Sequence, residues 1–161
     1  STPIVRAMPN TPAAVGQGIT ALIGNGRATE KDLSEAQNLM AAVGLTIVLQ
    51  DEGQMDAVTG VSGSGPAYVF HMIETLAQAG VKQGLPADMA MQLAKATVAG
   101  AGALAMQSDE SAEQLRVNVT SPNGTTQAAL DVLMRDKTGL QSLMTKAVKA
   151  ATKRSKELSN G

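Results

Sequence analysis

The hydrophobic pattern of this 161-residue chain changes period once, near Asp51, and that change limits what it can build. Before it, apolar residues come in short β-branched runs bounded by glycine and proline; after it, they recur at helical spacing. The runs at Ile4-Val5, residues 19–23 and residues 45–49 predict three strands. A helix is predicted between the last two. Thr29 is its N-cap, Glu30 and Asp32 lie in its first turn, and Leu33, Ala36, Leu39, Met40 and Val43 share one face, with Gly44 as terminator. Three strands and one helix make a piece of α/β structure too small for a doubly wound domain, and Pro9 and Pro12 punctuate its first connection.

Beyond Asp51 the pattern predicts helices only. Val69, Met72, Ile73, Leu76, Ala77 and Gly80 form one buried face of a helix entered at Pro66, a residue that the first turn tolerates. Pro86-Ala87-Asp88 opens a longer helix through Met91, Leu93, Val98 and Leu104, whose Gly100 and Gly102 would weaken it alone and are expected to permit close packing. Shorter helices are expected over residues 111–119 and 125–135, and a terminal one over 139–158. Leu140, Leu143, Met144, Ala147, Val148 and Ala151 give the last its apolar stripe; Lys153, Arg154 and Lys156 suit its negative dipole end and form a solvated face. Ser159, Asn160 and Gly161 are expected to fray. The predicted class is therefore mainly α: an all-helical domain over 51–161 preceded by a small α/β part over 1–50.

Composition narrows the chemistry. Tyr68 and Phe70 are the only aromatic residues, so the core must be built from small aliphatic side chains and nine methionines. Such a core suits helix-on-helix packing, and methionine-rich faces adapt well to a partner subunit. A formal net charge of −1 gives no reason to expect nucleic acid or an acidic membrane as partner. The lack of cysteine removes disulfides, thiolate catalysis and cysteine-ligated metal. No apolar run approaches membrane-spanning length, and the first residues lack the pattern of a signal peptide, so a cytoplasmic setting is expected.

Two segments carry residues suited to ligand binding. Thr59-Gly60-Val61-Ser62-Gly63-Ser64-Gly65-Pro66 and Ser121-Pro122-Asn123-Gly124-Thr125-Thr126 each combine hydroxyls and glycine ahead of a predicted helix. A helix start offers unpaired backbone N–H groups and a positive dipole end, and glycine lets a ligand approach the backbone. A small polar anion such as a carboxylate fits that chemistry. The same residue types also make ordinary caps and turns, and for either segment alone that reading is favoured. The glycine order of residues 60–65 does not match the dinucleotide fingerprint, and no phosphate-loop lysine follows either segment. His71 is the only histidine, with no carboxylate cluster around it, so no metal site is expected; it reads as a packed or hydrogen-bonded side chain. Asp51, Glu52 and Asp56 read as loop and helix-start acids.

Three stretches, in order, resemble segments of the pyrroline-5-carboxylate reductase family: Val5-Arg6-Ala7-Met8-Pro9-Asn10-Thr11-Pro12, residues 56–70, and Val119-Thr120 with the 121–126 segment. Asn123 departs from the glycine usual there, but Asn tolerates left-handed backbone angles better than most residues. The family opens with a glycine-rich strand–turn–helix that this sequence does not contain. The resemblance therefore implies that residues 1–50 are the last strands of a Rossmann-like domain, and that 51–161 is a helical substrate-binding and dimerisation domain. It implies an enzyme reducing the C=N bond of 1-pyrroline-5-carboxylate to proline with NADPH or NADH, assembled as a homodimer or higher, up to decamers.

By the same resemblance, Ser121, Asn123, Gly124, Thr125 and Thr126 hold the substrate carboxylate, and Ser64 and Gly65 shape the pocket. Thr59 lies near the ring nitrogen as the catalytic candidate, while Met8, Pro9 and Asn10 face the nicotinamide. The main phosphate site would lie outside this sequence, leaving the isolated chain without turnover. Two other readings stay open. One is the helical domain of another β-hydroxyacid-dehydrogenase-like enzyme, where Lys82 or Lys95 would need a supporting motif that is absent. The other is a helical dimerisation module whose two segments are merely caps.

Overall fold

The computed structural model describes residues 2–159. The expected fraying of Asn160 and Gly161 falls outside the described residues, and Ser159 is the last helical one. Three strands, β1 (Val5–Met8), β2 (Gly18–Gly24) and β3 (Gly44–Val48), form one sheet in the order β1-β2-β3. β2 pairs antiparallel with β1, from Val5 opposite Gly24 to Met8 opposite Ala21, and parallel with β3, from Gly18 opposite Gly44 to Leu22 opposite Val48. A parallel pair needs a crossover, and α1 (Glu30–Met40) supplies it. Thr29 closes a reciprocal capping box with Asp32: its hydroxyl accepts from the Asp32 N–H, and the Asp32 carboxylate accepts from the Thr29 N–H.

Gly44 is not the terminator of α1. The helix ends at Met40, a tight 3-10 turn covers Ala41–Val43, and Gly44 begins β3 with φ 146. A side chain on Gly44 would collide with the backbone of Gly18, its partner in the ladder, which is why glycine stands there.

From residue 51 the chain is helical, as the periodicity predicts. α2 (Met55–Val58), α3 (Gly65–Lys82), α4 (Ala87–Gln107), α5 (Ala112–Asn118), α6 (Thr125–Leu133) and α7 (Leu140–Ser159) follow in order. Ser111 caps α5, accepting from the Gln114 N–H at 3.1 Å.

Packing divides the chain elsewhere than at the change of period. One compact unit contains residues up to Ala67 together with those from Lys146 onward; the other runs from Tyr68 to Thr145. The first is built on β2, where Thr20, Ala21, Leu22 and Ile23 are buried, together with Met55 of α2. A strand hydrogen-bonded on both edges has its ladder groups satisfied and can be hidden entirely.

The core of the second unit is Ala77, Ala90 and Ala94, with Ile73 and Met91 packed against it. Small residues set the closeness of α3 and α4: a methyl group on Gly80 would lie 3.3 Å from Ala90 Cβ. Outside that seam the unit exposes large apolar side chains on every helix, including Phe70, Leu93, Leu104, Val132 and Leu143. Gly100 and Gly102 do not serve close packing within this chain, because a methyl group on either meets nothing within 4 Å. The basic end of α7 is solvated, with Lys153 and Arg154 both paired to Glu157. His71 is hydrogen-bonded, its Nδ1 lying 3.1 Å from Glu74 Oε2.

Candidate functional site

The first glycine- and hydroxyl-rich segment is not a helix entrance. α2 runs without a break into a π-helical turn, Thr59–Gly63, which passes into α3 with Ser64 still in right-handed helical geometry. The turn is closed by the Ser64 N–H donating to the Thr59 carbonyl at 2.8 Å, and the Ala67 N–H donates to Ser64. The Ser64 and Ala67 N–H groups, two of the backbone donors expected to meet an anion there, are thus used internally. What the turn presents instead is side chains and carbonyls. Single π turns inside helices recur at functional sites because they widen the helix and free carbonyl groups.

Thr59 and Ser62 both fold their hydroxyls back along the helix. Thr59 Oγ1 donates to the Met55 carbonyl at 2.9 Å, and Ser62 Oγ donates to the Val58 carbonyl at 3.1 Å. A hydroxyl has one hydrogen and two lone pairs, so Thr59 in this arrangement offers a ligand an acceptor, not a donor. α7 approaches the turn at Gly60, where a methyl group would lie 2.5 Å from Thr152 Oγ1 and 3.1 Å from the Val148 carbonyl oxygen. On another side, a methyl group on Gly63 would lie 3.3 Å from Met8 Cε and 3.6 Å from Thr59 Cγ2. Met8 and Thr59, which come from separate stretches of sequence, therefore flank the same glycine. Asn10 also reaches the turn: its Nδ2 donates to the Ser62 carbonyl at 3.2 Å, and its Oδ1 accepts from the Ile19 N–H at 2.9 Å. Pro9, between them, is exposed.

The second segment is the helix entrance that the sequence predicts. Gly124 is the N-cap of α6, and no side chain caps the first turn, leaving its N–H groups to an external acceptor. Asn123 has φ 60, a left-handed geometry that Asn adopts more readily than most non-glycine residues. Gly124 is fixed by contact: a methyl group there would lie 2.5 Å from Ser121 Oγ, so this hydroxyl sits directly over the cap. Ser121, Asn123 and Thr125 are exposed, while Gly124 and Thr126 are half-buried. This segment belongs to the second compact unit, and Met8, Pro9, Asn10, Thr59, Ser64 and Gly65 to the first.

Each unit has an apolar groove among its described residues; Val61 and Ser62 of the π turn line one of these two, and Met8, Pro9, Asn10, Thr59, Ser64, Gly65 and residues 121–126 line neither. One of about 580 Å³ lies between β3 and the α2 region, with Ile47, Leu49, Ala57 and Val61 in its walls. The other, of about 370 Å³, lies between α3 and α4. Among the described residues there is no cluster of three or more His, Asp or Glu side chains able to hold a metal ion, and no helix is long and apolar enough to cross a membrane.

Residues 52–158 match the family model for pyrroline-5-carboxylate reductase dimerisation. The pyrroline-5-carboxylate reductase of Synechocystis is 50% identical over 155 residues, covering 96% of this chain and 57% of the relative. That of Pisum sativum is 47% identical, covering 96% and 56% respectively. Among solved structures, the pyrroline-5-carboxylate reductase from Coxiella burnetii superposes with a TM-score of 0.93 at 43% identity, over 98% of this chain and 57% of that one. The Plasmodium falciparum pyrroline carboxylate reductase, solved with NADP bound, gives 0.85 at 34% identity, over 98% and 62%. The fold is that of a mainly helical pairing domain joined to a small sheet. The chain belongs to the pyrroline-5-carboxylate reductase family, and it spans a little over half the length of these relatives.

Two ties in the first unit are missed by the sequence reading. Asp56, read as a helix-start acid, accepts a hydrogen bond from Ser155 of α7 at 2.6 Å, and nothing local marks that pairing. The tie from Asn10 to Ser62 does have a signal. Pro66, four residues after Ser62, cannot donate to the Ser62 carbonyl, so a helical acceptor there needs a donor from elsewhere.

Proposed function

We propose that this chain is the substrate-binding and subunit-pairing part of a cytoplasmic enzyme that reduces 1-pyrroline-5-carboxylate to proline with NADPH or NADH. The observation that carries the reading is the uncapped start of α6, where the Ser121 hydroxyl lies beside the first N–H groups and a methyl group on Gly124 would crowd that hydroxyl. A carboxylate accepts from both kinds of donor and meets the positive end of the helix dipole.

In this reading, Ser121 and the N–H groups of Thr125 and Thr126 hold the carboxylate and so fix one end of the flat imino-acid ring, with Asn123 setting the turn and the Gly124 N–H closing it onto the Ser121 carbonyl at 3.0 Å. Thr59 receives the ring nitrogen. Its hydrogen is already given to the Met55 carbonyl, so it accepts from the N–H of the protonated imine. That selects the charged, electrophilic form of the substrate and removes the need for a general acid on the protein. Ser64 and Gly65 shape the wall beside it. The nicotinamide, when bound, supplies the hydride that reduces the imine carbon. Exposed Pro9 and half-buried Met8 at the end of β1 give a flat apolar seat that fits such a ring. No glycine-rich phosphate fingerprint occurs in residues 1–161, so this chain is assigned the nicotinamide end only, and by itself it does not turn over.

Pairing follows from the second unit. Helices that leave Phe70, Leu93, Leu104 and Leu143 exposed in a single chain have apolar faces that a second copy would cover, giving a homodimer or a higher assembly. Another β-hydroxyacid-dehydrogenase-like activity is less well supported, since Lys95 is exposed on α4 and the family match is specific. The test is NADPH oxidation by the full-length protein with 1-pyrroline-5-carboxylate, with proline as the product. Turnover is expected; saturating substrate with no proline formed contradicts the reading.

A further inference from the structure

Asn10 stands where the end of β1 meets the π turn, and its carboxamide is engaged at both ends. Oδ1 accepts from the Ile19 N–H at 2.9 Å, Nδ2 donates to the Ser62 carbonyl at 3.2 Å, and its own carbonyl accepts from the Ala13 N–H at 3.1 Å. The orientation of the amide is unambiguous, because a backbone N–H requires the oxygen and a backbone carbonyl requires the nitrogen. The need for the donor is built into the sequence. In a helix the Ser62 carbonyl would accept from residue 66, but residue 66 is proline and has no N–H. Asn10 supplies the missing hydrogen from another element. A carboxylate of the same length could not donate, and a longer amide would not fit both partners unchanged.

We propose that Asn10 is a positioning residue: by bridging the start of β2 and the π turn, it fixes the distance between the Met8–Pro9 seat and Thr59. This rests on the reductase reading above. Met8 Cε and Thr59 Cγ2 already flank Gly63, so the two groups that would align hydride donor and acceptor lie against one turn, and Asn10 is the hydrogen-bonded strut holding that turn. Its action is through the backbone and not on the cofactor. Misalignment by about 1 Å costs up to about a hundredfold in rate while leaving remote binding groups untouched.

The experiment is steady-state kinetics on the full-length protein, comparing wild type with Asn10→Ala and Asn10→Asp, each alone and with Pro66→Ala. Both single variants should lose roughly tenfold to a hundredfold in kcat. KM for the imino acid and Kd for NADPH should stay within about threefold, since the carboxylate and phosphate sites are elsewhere. Deuterium at the transferred position should slow the variants more than wild type, because hydride transfer becomes limiting. Pro66→Ala restores an N–H to the Ser62 carbonyl, so Asn10→Ala with Pro66→Ala should recover part of the lost kcat. A loss expressed mainly in NADPH affinity would make Asn10 a direct cofactor contact and overturn the proposal, as would unchanged kcat in the single variants or no recovery in the double one. Wild type without turnover would remove the functional reading itself, a result distinct from active wild type with indifferent variants.

Discussion

Ser155 Oγ donates to Asp56 Oδ1 at 2.6 Å across a separation of 99 residues, joining α7 to α2 just before the π turn. Both side chains are half-buried, and a hydrogen bond to a carboxylate oxygen is stronger than one between neutral groups. Ser155→Ala should lower unfolding stability by about 1–3 kcal/mol, and Asp56→Asn, which keeps an acceptor oxygen, by less. Urea denaturation of both variants checks this; equal losses would mean that the charge and not the bond matters.

The same helix meets Gly60. Gly60→Ala places a methyl group against Thr152 Oγ1 and the Val148 carbonyl, and overpacking of this kind costs about 1–3 kcal/mol. Thr152→Ala in the same chain should return part of that loss. A double variant no better than Gly60→Ala alone would locate the strain at the Val148 backbone.

Asn123 is the only non-glycine among the described residues with positive φ. Asn123→Gly should be neutral or slightly stabilising, whereas Asn123→Val should cost about 1–2 kcal/mol and weaken carboxylate binding. Thermal unfolding with and without proline separates the two effects.

Asp32 is held below the ordinary carboxylate range, first by the Thr29 N–H and then by the Thr29 hydroxyl. A depressed folded-state value means that its contribution is fully present above the unfolded-state value, near pH 4, and is lost as pH falls through the lower folded-state value. Thr29→Ala, which removes the hydroxyl but keeps the backbone N–H, should cost about 1 kcal/mol near neutrality and flatten that acid limb in part. Stability followed from neutral to acid pH shows whether the two curves converge; parallel curves would count against the capping box as the cause.

Much of the fold is legible in the sequence because its signals are local. β-branched runs give the strands, Thr29 and Ser111 cap as their residue types suggest, and the i, i+3, i+4 spacing gives α3, α4 and α7. The errors have physical causes. Gly44 ends a periodic run, but ladder contact with Gly18 and not helix termination put it there. The glycines of residues 60–65 suggest a loop, yet Gly60 is set by its close tertiary contact with α7, and the backbone stays in helical geometry through the segment. At the second segment the local signal is sufficient, and Gly124 opens α6 as the hydroxyl and glycine pattern predicts. Pairings such as Ser155 with Asp56 leave no local trace.

Thr59→Val removes an acceptor but preserves shape. A hydrogen bond to a charged partner is worth about 1.5–3 kcal/mol, so kcat/KM in the full-length protein should fall roughly 10- to 150-fold. Thr59→Ser should retain most activity. If Thr59→Val were fully active, the ring nitrogen would not meet this hydroxyl.

The assignment of the α6 start as the carboxylate site is tested most directly by NMR titration of the protein with proline, following the amide signals of Thr125 and Thr126 in wild type and in Gly124→Ala. Saturable shifts of both amides, lost in the variant while its fold is kept, are the expected result. Saturation elsewhere with these amides unmoved, or equal binding by Gly124→Ala, would contradict it.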